Sequence, residues 1–271
     1  MASSTIHLDA LDLALAALLV LVNAGLSLVL RLRLHRQLLW ASTRMVVQLL
    51  LVGLVLRTVF STVSAPLTLA VVALMIAAAV REVAVRPRQR LKDLGNFRIA
   101  GVVVTLASVA TVSLALSTAL EPQPWYDPRY AIPLMGIVLG TVLNSASLGL
   151  DSFFGEVMIR RASIEAQLAL GATSAAAMAQ LVRGSIRRGM IPIINQMSAA
   201  GIITLPGIMT GQLLAGMDPI EAAKYQILLL FLLMGAGGLA AVGAVYLAAR
   251  SLTDDRHRLR TDRLTSAGRH D

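Results

Sequence analysis

Seven apolar stretches, parted by short charged connections, constrain this chain more than any other feature. They cover residues 8–30, 38–60, 65–85, 99–120, 131–150, 190–210 and 222–249. A helix rises about 1.5 Å per residue and needs roughly 20 mostly apolar residues to cross a hydrocarbon core of about 30 Å. Every one of the stretches is long enough. Of the 271 residues 56% are hydrophobic and 14% charged, with a mean hydropathy of +0.74. A soluble domain carries about 25% charged residues. The expectation is therefore an all-α polytopic membrane protein with about seven transmembrane helices, and an ordinary cytosolic enzyme is excluded. Acids rather than bases precede the first stretch and no small-residue cleavage site follows it, so it reads as a retained span.

Basic residues near span ends stay in the cytoplasm, so their alternation along the chain fixes an expected orientation. Twenty of the 24 Lys and Arg residues fall in alternate connections: 31–36, 81–98, 160–188 and 250–269. The intervening connections carry Asp9, Asp12, Glu121, Asp127, Asp218 and Glu221. This places the N-terminus outside and the C-terminus inside a plasma membrane. The formal charge of +9 then reports topology, with the bilayer as partner and no nucleic acid. No cysteine is present, which removes disulfides, thiolate metal sites and a Cys nucleophile. Residues 1–250 read as one transmembrane domain and 251–271 as a charged, frayed cytoplasmic tail. No internal repeat is visible, which counts against an inverted-repeat secondary transporter.

Residues 151–189 form the one large cytoplasmic connection, too polar for lipid and too regular for a linker. Ser163 is expected to cap a helix whose Glu165 complements the dipole, and Gly171 to stop it. Thr173 then caps a second helix running towards Arg187, with Arg183 and Arg187 on one face. Such an elbow can present a short helix to another protein.

The segment Ser163-Ile-Glu-Ala-Gln-Leu-Ala-Leu-Gly-Ala-Thr173 resembles the coupling loop of ATP-binding-cassette (ABC) permeases, with Gln167 in place of the second Ala and no Leu-Pro at the importer spacing. A wider set resembles the FetB-type permease family: Arg44-Met-Val-Val-Gln48, Gly136-Ile-Val-Leu-Gly140 with Asn144 and Asp151, Leu-Gly-Ala-Thr173, Ile191-Pro-Ile-Ile-Asn195-Gln-Met197, Leu205-Pro-Gly-Ile-Met-Thr-Gly-Gln212 and Lys224-Tyr-Gln226. The resemblance covers nearly the whole chain. It implies a permease subunit that pairs with a separate ABC ATPase and exports iron, with Glu165, Ala166, Gly171, Ala172, Thr173, Arg183 and Arg187 transmitting the ATPase's movement. Plant relatives are linked to aluminium tolerance and nucleotide-sugar movement. The residues bear on the partner independently, because there is no Gly-x-x-x-x-Gly-Lys-Ser/Thr phosphate loop and the only lysines are Lys92 and Lys224. ATP and Mg are thus expected on the partner chain, no cofactor on this one, and two copies of it around one pore.

Polar groups within spans are functional candidates by default. Arg44, with Gln48 one turn on, either snorkels and bonds a neighbouring helix or lines the cavity. Gly136, Gly140 and Asn144 form a small-residue stripe that suits close helix packing. In the sixth stretch, Pro192 begins the helix, and Pro206-Gly207 favours a break whose freed carbonyls, with Thr210 and Gln212, either coordinate a hard cation or form a rocking kink. Asn195, Gln196 and Met209 complete the expected path. Met190, Met197, Met209 and Met217 read as core filler rather than a thioether path. No His falls inside a span, so metal ligands stay unassigned. The outer acids read as solvated, and Asp151 and Glu156 as orienting the loop. The expected function is a non-enzymatic ABC permease subunit, working as a homodimer that exports iron or another metal. An ATP-independent secondary transporter or channel is the alternative.

Overall fold

The computed structural model describes residues 9–254 and 256–266, in two compact units that meet between Val63 and Ser64. The first is a helical hairpin of α1 (Ala10–Val29) and α2 (His35–Thr62). Asp12 Oδ2 accepts the Asp9 N–H at 3.0 Å and so secures the start of α1. Ser27 Oγ accepts the Leu34 N–H at 2.8 Å across the turn, which needs positive φ at Arg31 and Arg33. Leu49, Leu50 and Leu54 stand exposed, as side chains facing hydrocarbon must.

The second unit holds α3 (Ala65–Val85), β1 (Gln89–Leu91), α4 (Gly95–Ala115), α5 (Pro128–Ile159), α6 (Arg161–Ala169), α7 (Ser174–Ala199), α8 (Gly207–Leu214), α9 (Pro219–Ser251) and β2 (Leu264–Ser266). Asp127 and Asp218 start α5 and α9: each accepts a backbone N–H two residues on at 2.9 Å, and each precedes a proline at the first helical position. Both acids, read from sequence as solvated, are helix caps as well, and Asp218 is exposed as read. Glu221 pairs with Lys224 at 2.7 Å.

α5 lies at the centre, touching α3, α4, α7 and α9. Its Val138, Val142, Leu150, Phe153, Phe154 and Val157 are fully buried. α3 and α9 run parallel to it, since Met75 meets Gly136 and Arg86 meets Asn144, while Thr141 meets Gly237 and Val245 meets Gly149. α7 runs antiparallel, with Gly189 on Ser145 and Ser185 on Ser152. Three glycines make this crossing possible. A Cβ on Gly189 would stand 2.7 Å from the Ser145 carbonyl oxygen, one on Gly237 2.9 Å from Ser145 Oγ, and one on Gly149 3.1 Å from Val245. The stripe read from sequence is not the tightest contact: a Cβ on Gly136 would meet only Met75, at 3.3 Å, and one on Gly140 nothing within 4 Å.

Among the described residues six helices are long and apolar enough to cross a membrane, and the stretch 190–210 is not one of them. It splits: its first half is the end of α7, which begins at Ser174 and continues through Pro192 to Ala199, and its second half is a bend followed by α8. Pro192 therefore sits inside a helix rather than starting one, on an exposed face where its missing N–H costs only the bond to Arg188. The expected loop 151–189 is correspondingly short, because α5 persists to Ile159 and α7 starts at Ser174. Arg183, Arg187 and Arg188 lower the hydropathy of this region without breaking its helix, since all three side chains point out of the core.

The segment after α9 folds back instead of fraying, as far as Ser266; the remaining residues of the expected tail lie outside those described. β2 pairs antiparallel with β1, Lys92 N–H donates to Arg263 O at 2.8 Å, and Arg263 Nη1 to Ser251 O at 2.7 Å. Leu252 and Leu264 are buried beneath. The bidentate bond from Arg260 holds the Asp262 carboxyl down at about 2, and the Arg258 backbone N–H and guanidinium lower Asp254. A carboxylate depressed on folding stabilises above its unfolded pKa, and that stabilisation disappears as pH falls through the folded value. Hydrogen-exchange protection of residues 252–266 is therefore expected to hold above about pH 4 and to fall between about 4 and 2, with α5 unaffected. Tail exchange that stays level across that window refutes the assignment.

Candidate coupling elbow and path residues

The elbow at the basic end is built from α6, a Gly-centred turn and α7. α6 begins after Arg160, so Ser163 lies within its first turn rather than capping it. Arg160 N–H donates back to Glu156 O at 2.9 Å, so the end of α5 leads straight into α6. Gly171 takes φ +90, with its N–H on Leu168 O and the Ala172 N–H on Gln167 O, both at 3.0 Å. This is the paired C-terminal closure that glycine at C′ permits. Thr173 Oγ1 then accepts the Ala176 N–H at 3.3 Å and starts α7.

α6 is two-faced. Ile164 is 1% exposed in the core with Leu168 partly buried beside it, whereas Glu165, Ala166 and Gln167 face out and Leu170, at the tip, is 89% exposed. Glu165 is not solitary: its Oε1 accepts Arg161 Nε at 2.8 Å. Behind the elbow, Glu156 bridges Arg160 and Arg188, each at 3.0 Å, and Arg188 Nη1 reaches Ser152 Oγ at 3.1 Å. These bonds tie α5 to α7 at the elbow's root. Asp151 serves elsewhere, accepting the Arg88 N–H at 2.8 Å in the turn between α3 and α4. The tail also reaches the elbow, with His257 Nδ1 3.1 Å from Ser174 Oγ.

Two features escaped the sequence reading. Leu170 looked like one more apolar residue in a helical pattern, and only its position one residue before a helix-stopping glycine marks it as the apex. Glu156 and Arg188 are 32 residues apart, a separation no local pattern connects.

Within the second unit the path residues are not gathered into one site. Arg44 and Gln48 lie a turn apart on α2, in the first unit. Asn144 stands near the basic end, 3.5 Å from Arg86 Nη1, and Asn195 and Gln196 are exposed on the last turn of α7. The break precedes Pro206, in residues 200–205, where Gly201 takes φ +86. Hydrogen bonds close its two ends: Ala199 O accepts Ile203 and Thr204 N–H, Thr204 O accepts Gly201 N–H, and Pro206 O accepts both Thr210 N–H and, at 3.2 Å, Thr210 Oγ1. Thr210 is half-buried on α8, its hydroxyl turned back onto the Pro206 carbonyl. Met209 is half-buried on α8, and Gly207 opens that helix. Gln212 differs. It lines a cavity of about 280 Å³ with Arg129, Tyr130 and Tyr225, and its buried Oε1 has no hydrogen-bond partner among the described residues. Among those residues no group of three or more His, Asp or Glu side chains could hold a metal ion.

The profile of the uncharacterised protein family UPF0014 matches residues 10–253. The chain belongs to the UPF0014 family. It is 37% identical to a UPF0014 membrane protein of Synechocystis over 84% of this chain and 87% of that one. It is similar to the probable iron export permease protein FetB of Escherichia coli, at 34% identity over 92% and 93% of the two chains. The protein ALUMINUM SENSITIVE 3 of Arabidopsis thaliana is 26% identical over 92% of this chain and 89% of its own. No solved structure matches the chain. Like its family, the protein is an all-α, multi-pass membrane protein.

Proposed function

We propose that this UPF0014 protein is the permease subunit of an ABC transporter that exports iron or another metal, powered by a separate ATPase docked on the α6 elbow. The observation carrying the reading is Leu170 held 89% exposed at the apex of an elbow whose root is fastened to α5 and α7. A rigid, apolar-tipped lever at the end of a helix pair is what moving a membrane domain from outside requires. The likeness to FetB supports the cargo class. In this reading the basic end faces the cytoplasm, in keeping with Arg86, Arg88, Arg188 and Arg250 lying there. ATP and Mg act on the partner, and two copies of this chain form the pore. A ligand shifts a conformational equilibrium only by its differential affinity for the two states, so the ATP-bound partner must grip the elbow differently in each.

The test is co-expression with a candidate ABC ATPase, followed by transport into sealed inverted vesicles with iron, other divalent metals and one nucleotide sugar. ATP-dependent uptake of iron, absent without the ATPase, is the expected result. Equal uptake without ATP, or uptake of the nucleotide sugar alone, overturns it.

A further inference from the structure

At the basic end a cavity of about 520 Å³ opens between α7 and α9, with neither Leu170 nor any path residue in its lining. Its inner wall is apolar, with Met178 and Val182 buried on α7 and Leu247 half-buried on α9. Its mouth holds the exposed guanidiniums of Arg183 and Arg250, and neither makes an ion pair or side-chain hydrogen bond among the described residues. Among the described residues no carboxylate lines it. The same face of α9 continues away from the cavity as an exposed apolar stripe, Tyr246, Val242 and Leu239, at 60%, 40% and 58%. These positions fall at helical spacing, so they make one track.

Two unpaired cations beside an apolar wall, with an apolar track leading towards the membrane centre, match one ligand chemistry: a phosphate with hydrocarbon attached. We infer that this cavity binds an anionic phospholipid, its phosphate between Arg183 and Arg250 and an acyl chain along Tyr246, Val242 and Leu239. Basic pockets between membrane helices on the cytoplasmic side hold such headgroups by this combination of charge and burial. An acidic peptide would satisfy the arginines but leave the track bare, and a neutral lipid would cover the track but leave the arginines unanswered. The inference does not need the ATPase reading. It requires only that the helices stand in a bilayer.

Native mass spectrometry of the full chain, released from nanodiscs of mixed phosphatidylglycerol and phosphatidylcholine, tests it. The parent protein is expected to retain phosphatidylglycerol in preference to phosphatidylcholine. R183Q or R250Q should lower that retention about fivefold and the double variant about 25-fold, the effect of one near-surface charge each. R98Q removes the same charge from the exposed start of α4, away from the cavity, and should retain lipid like the parent. Ala179→Trp fills the cavity with both arginines in place and should also lose the lipid. Equal loss in R98Q and R250Q, equal retention of phosphatidylcholine, full retention in Ala179→Trp, or dissociation of a protein dimer in R250Q with lipid unchanged each overturns the assignment.

Discussion

Gly189→Leu is expected to remove folded protein from detergent extracts, while Gly140→Leu leaves the yield and melting temperature of the protomer close to the parent's. The added Cβ at position 189 would stand 2.7 Å from the Ser145 carbonyl, 3.1 Å from Ala241 Cβ and 3.4 Å from the Gly149 nitrogen. Two of those atoms are backbone, and backbone cannot swing aside as a side chain end can. Overpacking of a well-filled interior costs about 1–3 kcal/mol and sometimes more. The three further carbons of leucine must push α7 off both α5 and α9. Lipid makes the penalty harder to absorb, since helices there associate by close packing and not by hydrophobic exclusion from water. At Gly140 nothing lies within 4 Å of an added Cβ, so this position has room for a side chain. Fluorescence-detected gel filtration and thermal melting read both outcomes, and a monodisperse Gly189→Leu protein with an unchanged melting temperature would disprove the crossing.

Leu170→Asp is expected to have the opposite character: a protein that inserts and melts normally but no longer holds the proposed ATPase partner. Leu170 is 89% exposed, so it contributes almost nothing to the fold, and its Cα geometry closes the helix regardless of side chain. An apolar anchor at the centre of an interface contributes about 2 kcal/mol or more, a loss of roughly 30-fold in affinity. A carboxylate in its place adds desolvation of a charge. Gln167→Ala, on the exposed face of α6, serves as the neutral comparison. Gly171→Ala falls between, because φ +90 strains any residue with a Cβ by roughly 1–2 kcal/mol. Co-purification and transport rate are the measurements. Undiminished ATPase binding by Leu170→Asp defeats the proposed docking mode and leaves the fold untouched.

The elbow shows how far local chemistry reaches. Thr173 and Gly171 announce a cap and a stop in any sequence, and both do those jobs here. Ser163 announced a cap as well, yet α5 delivers the chain to Arg161 already helical, so the start comes earlier. The bend after α7 was legible as irregular backbone beside Pro206-Gly207, but its place before Pro206, closed by bonds from Ile203, Thr204 and Gly201, was not. The Asp-Pro pairs at 127–128 and 218–219 did carry a readable start signal for α5 and α9, masked by reading acids outside spans as solvent-exposed charge.

Composition and apolar run length decided by themselves that this chain is a bundle of membrane helices, because hydrocarbon offers the backbone no alternative partner and length along a helix is arithmetic. Spacing of caps and glycines decided that an elbow interrupts the bundle. Only the folded chain decided that α7 carries the elbow's second arm through Pro192 into the bundle, that Gly149, Gly189 and Gly237 rather than Gly136 and Gly140 make the close crossing, and that the tail closes on β1. Those outcomes depend on which atoms meet across separations of 36 to more than 170 residues, and a contact between distant positions leaves no periodic trace in either of them.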